Sequence, residues 1–510
     1  MKPFSQTKNL ENYFQPFRKN VIGHNQEFIT PYGKKKLYYF DWTASGELYA
    51  PIEDAIKNIF GPFVGNTHSE STETGTDMTL AYHKAFEIIK RHVHAGPDDM
   101  LIFTGTGMTG AITKLQRILG LKFSDQLHRY EAFTNLKSHS KPFSEEEKPV
   151  VFITHMEHHS NQTSWIEADV DVVVIPQGKN GLVDPDKLRG LVEKYKARKI
   201  KIGSFSACSN VTGIFTPYHV LAKIMHEYGG LCFVDFAACA PYINMAMHTK
   251  DPAESLDAIF FSPHKFLGGP GTSGVLLFNK KLYLADAPPE NPGGGTVAWT
   301  NPWGGRNYYE NIEIREDGGT PGFLQAIRTA LCIQLKDKMG VENILSREEQ
   351  LLTKLQDQLK AIPDIHILGD YSQPRLGIVS FYSETIHYNL IVKLLNDRFG
   401  IQTRGGCSCA GTYGHCLFDI DQHESKIITD RIDSGDLSTK PGWVRISLHP
   451  TVLDKEVAYL GEALQAITLH IDEWKKDYIY NSVTNEFHHK NSNKTDEKEK
   501  IAQWFTDAII

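Results

Sequence analysis

From residue 37 onward, short apolar runs rich in β-branched residues alternate with longer stretches whose apolar positions recur at helical spacing. The runs predict strands over 37–41, 100–104, 149–154, 170–175, 201–206, 231–235, 258–262 and 274–278. Helical spacing appears over 78–94 and again over 109–121. Strands that are apolar on both faces and separated by helices imply a largely parallel sheet covered on two sides. Residues 124–148 are polar and interrupt that rhythm, which predicts a surface excursion. The Gly/Pro-rich stretch 288–305 closes the sheet region, and a long helix over 323–338 leads to a second unit. There, strands are predicted over 365–368, 377–381 and 443–448, and helices over 388–399 and 454–473. The expected organisation is α/β: an irregular N-terminal arm (1–30), a large unit (31–322), a smaller C-terminal α/β unit (323–480) and a loosely ordered polar tail (481–510).

A length of 510 residues suits two or three such units. The formal net charge of -7 argues against general nucleic-acid binding, which needs a basic face. The longest apolar runs, such as 171–176 and 229–234, are far too short to span a bilayer, so no membrane association is expected. The first twenty residues carry Lys2, Lys8, Arg18 and Lys19 but no apolar core, and no secretory signal is predicted. Seven cysteines in a chain of this length do not make a disulfide framework, so a reducing, cytoplasmic setting is expected.

Four segments at strand ends carry the candidate chemistry. Phe261-Ser262-Pro263-His264-Lys265-Phe266-Leu267-Gly268-Gly269 puts a lysine after a buried-looking strand, where a bare ammonium is costly. A Schiff base would remove that burden, and the glycines would let the backbone pass close to a phosphate; the alternative is a surface lysine at a strand–loop junction. Leu231-Cys232-Phe233-Val234-Asp235 ends in a carboxylate suited to the pyridinium nitrogen of pyridoxal phosphate (PLP), or else to capping the next helix. Phe103-Thr104-Gly105-Thr106-Gly107-Met108-Thr109-Gly110 joins a strand to a helix, where backbone N–H groups and the Thr109 hydroxyl suit a phosphate. It is not a Walker loop, because no Gly-Lys-Ser/Thr follows. In Met156-Glu157-His158-His159-Ser160-Asn161, His158 suits stacking on a flat ring. Adjacent histidines on extended chain face opposite ways, which disfavours a shared metal. These segments fall in order at the ends of successive strands, where open α/β sheets bind ligands.

Together they resemble the class V aminotransferase family of fold type I PLP enzymes, and within it the group II cysteine desulfurases and selenocysteine lyases. The resemblance runs from about Tyr39 to Leu469. Tyr39-Phe40-Asp41-Trp42-Thr43-Ala44-Ser45 is similar to the family's Y-L-D-x-A-A-T/S opening. The resemblance implies that Met108 and Thr109 bind phosphate and that His158 stacks on the PLP ring. It implies that Asn210, in Ser209-Asn210-Val211-Thr212-Gly213, faces the ring hydroxyl and that Asp235 holds the pyridinium. Ser262 and His264 would hold phosphate, and Lys265 the aldehyde. Arg315-Glu316-Asp317-Gly318-Gly319-Thr320-Pro321 resembles R-F-E-x-G-T-P, whose threonine reaches the phosphate of the neighbouring subunit, so Thr320 implies a homodimer with shared sites. Trp443-Val444-Arg445-Ile446-Ser447-Leu448 resembles the strand whose arginine grips the substrate carboxylate.

Gln402-Thr403-Arg404-Gly405-Gly406-Cys407-Ser408-Cys409-Ala410-Gly411 decides the subfamily. Aligned with R-x-G-H-H-C-A, it places the nucleophile on Cys409, with glycines 405, 406 and 411 expected to make the loop mobile. The implied reaction takes sulfur or selenium from an amino acid, leaving alanine and a persulfide for a sulfur-acceptor protein. Three features depart from the pattern: Cys407-Ser408 replaces the paired histidines, Asp235-Phe236-Ala237-Ala238 lacks the usual glutamine, and a polar insertion occupies 411–440. The R-x-G-C-x-C pattern also resembles the desulfurase-like domain of molybdenum cofactor sulfurases. Alternatives are transamination, epimerisation or elimination without a protein thiol, and a non-catalytic sulfur-carrier scaffold. Cys407, Cys409, His415 and Cys416 do not follow a standard zinc spacing, so no metal is expected.

Overall fold

The computed structural model describes residues 9–67, 71–122, 147–492 and 494–508. The polar excursion expected over 124–148 lies almost wholly outside the described residues, as do the first eight residues of the arm.

Seven strands form the large sheet: β1 (Asp99–Thr104), β2 (Val150–Thr154), β3 (Asp171–Ile175), β4 (Lys201–Ser206), β5 (Leu231–Asp235), β6 (Ala258–Phe261) and β7 (Gly274–Asn279). Their order is β1-β7-β6-β5-β4-β2-β3. All neighbours are parallel except β7, which runs antiparallel to both β1 and β6. Every residue of β2, β4 and β6 is buried, as a strand covered on both faces requires. For these seven strands observed and expected ends agree to within a residue, whereas the strand expected over 37–41 shrinks to Tyr38–Tyr39 and lies outside this sheet. Helices α1 (Glu73–His92), α2 (Gly107–Ile118) and α3 (His159–Ile166) flank this sheet. Thr72 caps α1 by accepting from Gly75 N.

Helix α4 (Phe323–Met339) leads out of the sheet and stops at Gly340, whose φ of 77° no helix continues through. It is followed by α5 (Val341–Lys360), which buries Ile344, Leu351, Leu355 and Leu359 on one face. The second unit is an antiparallel sheet of β8 (His366–Ile367), β9 (Ile378–Tyr382), β10 (Arg404–Gly406) and β11 (Trp443–Ser447), ordered β8-β9-β11-β10. Helices α6 (Tyr388–Leu394), α7 (Gly411–Leu417), α8 (Gln422–Asp433) and α9 (Asp454–Trp474) complete it. The 411–440 insertion is therefore helical, and α8 buries none of its residues. Two apolar clusters pack on the large sheet, and a third fills the space among β9, β11, α5 and α9.

Parts of the arm and of the segment after 478 are better packed than composition suggests. Phe14 and Phe17 of the arm are buried, and Arg18 donates to Thr451 O. Tyr38–Tyr39 pairs in parallel with Ile401–Gln402, which threads the following Asp41 between the two units. The segment expected to be a loose tail from 481 begins inside a hairpin, Tyr478–Asn481 with Glu486–His489. Asn485, at φ 57°, turns it and donates to Tyr388 Oη at 2.6 Å. Only α10 (Lys494–Asp507) lies out in solvent along its described side chains. Among the described residues no helix is long and apolar enough to cross a membrane.

Candidate active site

A cavity of about 210 Å³ opens at the carboxyl ends of β1, β2, β4, β5 and β6. Its other wall comes from the second unit and from Thr43 and Ala44 after the threaded segment. Of the eleven residues singled out from the sequence, it gathers Met108, Thr109, His158, Asn210, Asp235, Ser262, His264, Lys265, Cys409 and Arg445. Thr320 does not line it and is exposed, on a segment that the resemblance directs to a neighbouring subunit.

One end of the cavity is built at the start of α2. Gly107 sits at φ 58°, and a side chain there would come within 2.9 Å of Ser262 Oγ and 3.2 Å of His264 Cε1. Met108 N donates to Ser262 Oγ at 2.8 Å, so that amide braces the loop instead of pointing free. Thr109 Oγ1 lies 2.7 Å from Ser160 Oγ at the mouth. Gly268 and Gly269 do not line the cavity. Side chains there would strike Ile52 and the Pro263 carbonyl, so these glycines close the turn that carries Lys265; they do not approach a phosphate.

His158 caps α3, accepting at Nδ1 from Ser160 N (3.1 Å), so the neutral ring carries its proton on Nε2. Burial first, then the Lys265 charge, pushes its pKa down to about 3. His159 points elsewhere, with its ring 6.3 Å from that of His158. Behind them, the buried Glu157 carboxylate accepts from Thr154 N and Oγ1, Ser206 N and Oγ, and Asn161 Nδ2. This network locks the ends of β2 and β4 together.

Asp235 accepts from Ala237 N at 2.7 Å, and burial raises its carboxyl to about 7. Lys265 ends a short turn, Pro263–Lys265, and its amine faces the cavity from deep within the protein. Burial lowers it to about 8; Arg445 and Arg404 push the same way, while Asp235 opposes them.

The far wall turns on two side chains. Arg445 is buried and donates from Nη2 to Asp41 Oδ1 (2.7 Å) and from Nη1 to Asn210 O (3.2 Å). Asn210 donates from Nδ2 to Ser408 O at 2.7 Å. Arg445 Nε and Asn210 Oδ1 are buried without a partner, a donor and an acceptor on residues that line the same cavity. The start of α2 with Ser262 and His264, the His158 imidazole, a carboxyl, an amine and this unmatched pair could hold a flat phosphorylated aldehyde together with an amino acid.

Ser408 and Cys409 adopt φ 51° and 56°, in the left-handed region. Ser408 is held by Asn210 and by Trp443 Nε1 (3.1 Å to Oγ), and Cys409 O accepts from His159 N at 2.7 Å. Cys409 lines the cavity, whereas Cys407 packs against the large apolar core. The flanking glycines differ: a side chain at Gly405 would strike Asn389 and one at Gly411 would press on His159 Nε2, whereas Gly406 has open space around it and is required by its φ of 107°. His415 engages Gly411 O and Ser425 Oγ with its two ring nitrogens. Among the described residues the one group of such side chains that converges is Asp364, His366 and Glu384, none of which lines the cavity.

Sequence reasoning left Asp41, Arg404, Ser206 and Cys208 without roles in the site. Asp41 and Arg404 stand in segments that the family resemblance highlights; Ser206 and Cys208 carry no local signal.

A crevice at the carboxyl ends of a mostly parallel sheet, walled by a second unit, defines an α/β protein with a cavity of the kind that holds small ligands. The chain belongs to the class-V aminotransferase family, whose model matches residues 132–460. A relative from Halalkalibacterium halodurans, named a probable cysteine desulfurase, is 28% identical over 380 residues, 73% of this chain and 84% of its own. One from Staphylococcus aureus with the same name is 26% identical over 381 residues, 74% of this chain and 84% of its own. The apo structure of a cysteine desulfurase from Thermococcus onnurineus superposes with a TM-score of 0.70 at 21% identity, covering 89% of this chain and 97% of that one. A cysteine desulfurase from Escherichia coli gives 0.65 at 20% identity, covering 84% and 94%. These likenesses show the fold, the fold type I α/β architecture expected from the sequence.

Proposed function

We propose that this chain is a PLP-dependent cysteine desulfurase, or a selenocysteine lyase of the same type, working as a homodimer in the cytoplasm. The observation that carries the reading is one cavity holding Lys265, Asp235 and His158 on one wall and Cys409 and Arg445 on the other. The relatives' names point the same way, and all seven cysteines are free, as a reducing compartment requires.

Bound at Lys265, PLP supplies an electron sink that loosens bonds at the α- and β-carbons of an amino acid. The residues divide the remaining work. Gly107, Thr109, Ser262 and His264 would hold the phosphate, His158 and Asp235 would hold the ring, and Asn210, whose Oδ1 has no partner in the protein, would take the ring hydroxyl. Arg445, steadied by Asp41, orients the substrate carboxylate. Lys265 Nζ, close to neutrality, takes and returns protons at the carbon skeleton. The Cys409 thiolate attacks the substrate sulfur. An S–S bond forms, the Cβ–S bond breaks with its electron pair remaining on carbon, and that carbon takes a proton to leave as alanine. The persulfide on Cys409 then passes to an acceptor protein thiol.

The test is turnover with cysteine, reading alanine, sulfide and keto acid together, with mass mapping of the persulfide. Cys409→Ser should lose persulfide and sulfide release, while Cys407→Ser keeps at least part of both. Full sulfide release by Cys409→Ser, or a persulfide mapped to Cys407, would refute the assignment. Keto acid in place of alanine would move the reading to thiol-independent class V chemistry.

A further inference from the structure

The loop that carries Cys409 is tied to the large unit by α3, the helix that His158 caps. His159 N donates to Cys409 O at 2.7 Å, and His159 Nε2 accepts from Gly411 N at 2.9 Å. Further along the same helix, the Gln162 amide meets Thr412 Oγ1 with both ends, donating from Nε2 at 2.7 Å and accepting at Oε1 at 2.9 Å. Residues 409–412 are thus bound on their two sides by two side chains and one backbone amide of α3. Two consecutive non-glycine residues in the left-handed region persist only where their surroundings over-determine them, and these bonds are much of what does so at 408–409. An imidazole suits this position, because it can accept at Nε2 only when neutral, and burial together with the Lys440 charge favours the neutral form.

We infer that His159, assisted by Gln162, is a positioning residue for the transfer step, holding the loop so that the Cys409 sulfur faces the cavity. The inference rests on Cys409 being the nucleophile. It also explains why two adjacent histidines occur at this strand end: one faces the ligand, and the other holds the loop that attacks it. Because both stand at the start of α3, the thiol is indexed to the same turn that presents the stacking ring.

The test uses the full-length, PLP-loaded enzyme in four forms: wild type, His159→Ala, His159→Gln and Gln162→Ala. Three readouts are taken: kcat and KM for cysteine, the visible cofactor band, and the rate of iodoacetamide alkylation at Cys409 by peptide mass spectrometry. In His159→Ala, kcat should fall by roughly 10- to 100-fold, the cost of misplacing a reacting atom by about an ångström. KM and the cofactor band should hold, and the Cys409 alkylation rate should change by more than about threefold. His159→Gln, which keeps an acceptor, should recover much of the loss, and Gln162→Ala should show a smaller effect of the same kind if His159→Ala does not fold. The inference is overturned if kcat and alkylation both stay within about threefold, or if KM and the cofactor band move as far as kcat. The alkylation arm reads loop geometry without turnover, so it stands even if Cys409→Ser shows the nucleophile assignment to be wrong.

Discussion

Capture of PLP by Lys265 should be strongly pH-dependent, in a range where an ordinary lysine is inert. Only the neutral amine attacks an aldehyde. Burial, with Arg445 and Arg404 nearby, brings Lys265 down to about 8. At pH 7 about one amine in ten is then neutral, against about one in 2500 for an unperturbed lysine, a gain of roughly 250-fold. The sign follows directly: the pKa is depressed, so capture rises as pH climbs through about 8 and is level above it. Asp235 pulls in the opposite direction by favouring the ammonium, so Asp235→Asn should start the plateau at lower pH. The assay mixes cofactor-stripped protein with PLP in a stopped-flow instrument and follows growth of the visible band of the lysine adduct from pH 6 to 10. Dividing by the rate for a simple alkylamine removes the ionisations of PLP itself. A half-rise at pH 10 or above would refute the reasoning, as would an Asp235→Asn profile displaced upward.

Arg445→Lys should raise KM for cysteine about tenfold or more with a smaller effect on kcat, because a lysine can still meet Asp41 but lacks the buried Nε donor. Steady-state kinetics checks this, and an unchanged KM would remove Arg445 from carboxylate binding. Glu157→Gln turns an acceptor of five hydrogen bonds into a group that must also donate, and should cost about 2 kcal/mol in urea unfolding. No measurable change would show that the β2–β4 lock is dispensable. Light scattering should give twice the chain mass, and Thr320→Ala should weaken PLP binding although Thr320 does not line its own chain's cavity; a fully active monomer would contradict the shared site.

The large sheet was legible because its information is local. A run such as Val150–Thr154 is apolar throughout, and a strand buried on both faces needs nothing else to declare itself. The segments that line the cavity were legible for the same reason, each lying just beyond a strand end. The direction of β7 was not, since a strand's sense depends on the route of its connection and not on its residues. Nor was β10, three residues of which two are glycine, defined only by pairing with β11. The hairpin after Tyr478 looks like a disordered tail by composition, and it is ordered because Asn485 finds Tyr388, 97 residues away.

Within the cavity, Lys265, Asp235, His158 and the loop bearing Cys409 could be singled out from the chain's own order, because each stands at a strand or loop end. What only tertiary structure decided was orientation and partnership. Asp41 meets Arg445 across 404 positions. Gly405, Gly268 and Gly269, which suggest freedom in a linear reading, prove to be places where another chain segment leaves no room for a side chain. Of two cysteines separated by one residue, Cys409 faces the cavity and Cys407 packs against the core, a difference set by the left-handed turn at 408–409 and the groups of α3, Asn210 and Trp443 that hold it. Residue type sets what a group can do; its reach is set by contacts between segments far apart in the chain, which no local pattern encodes.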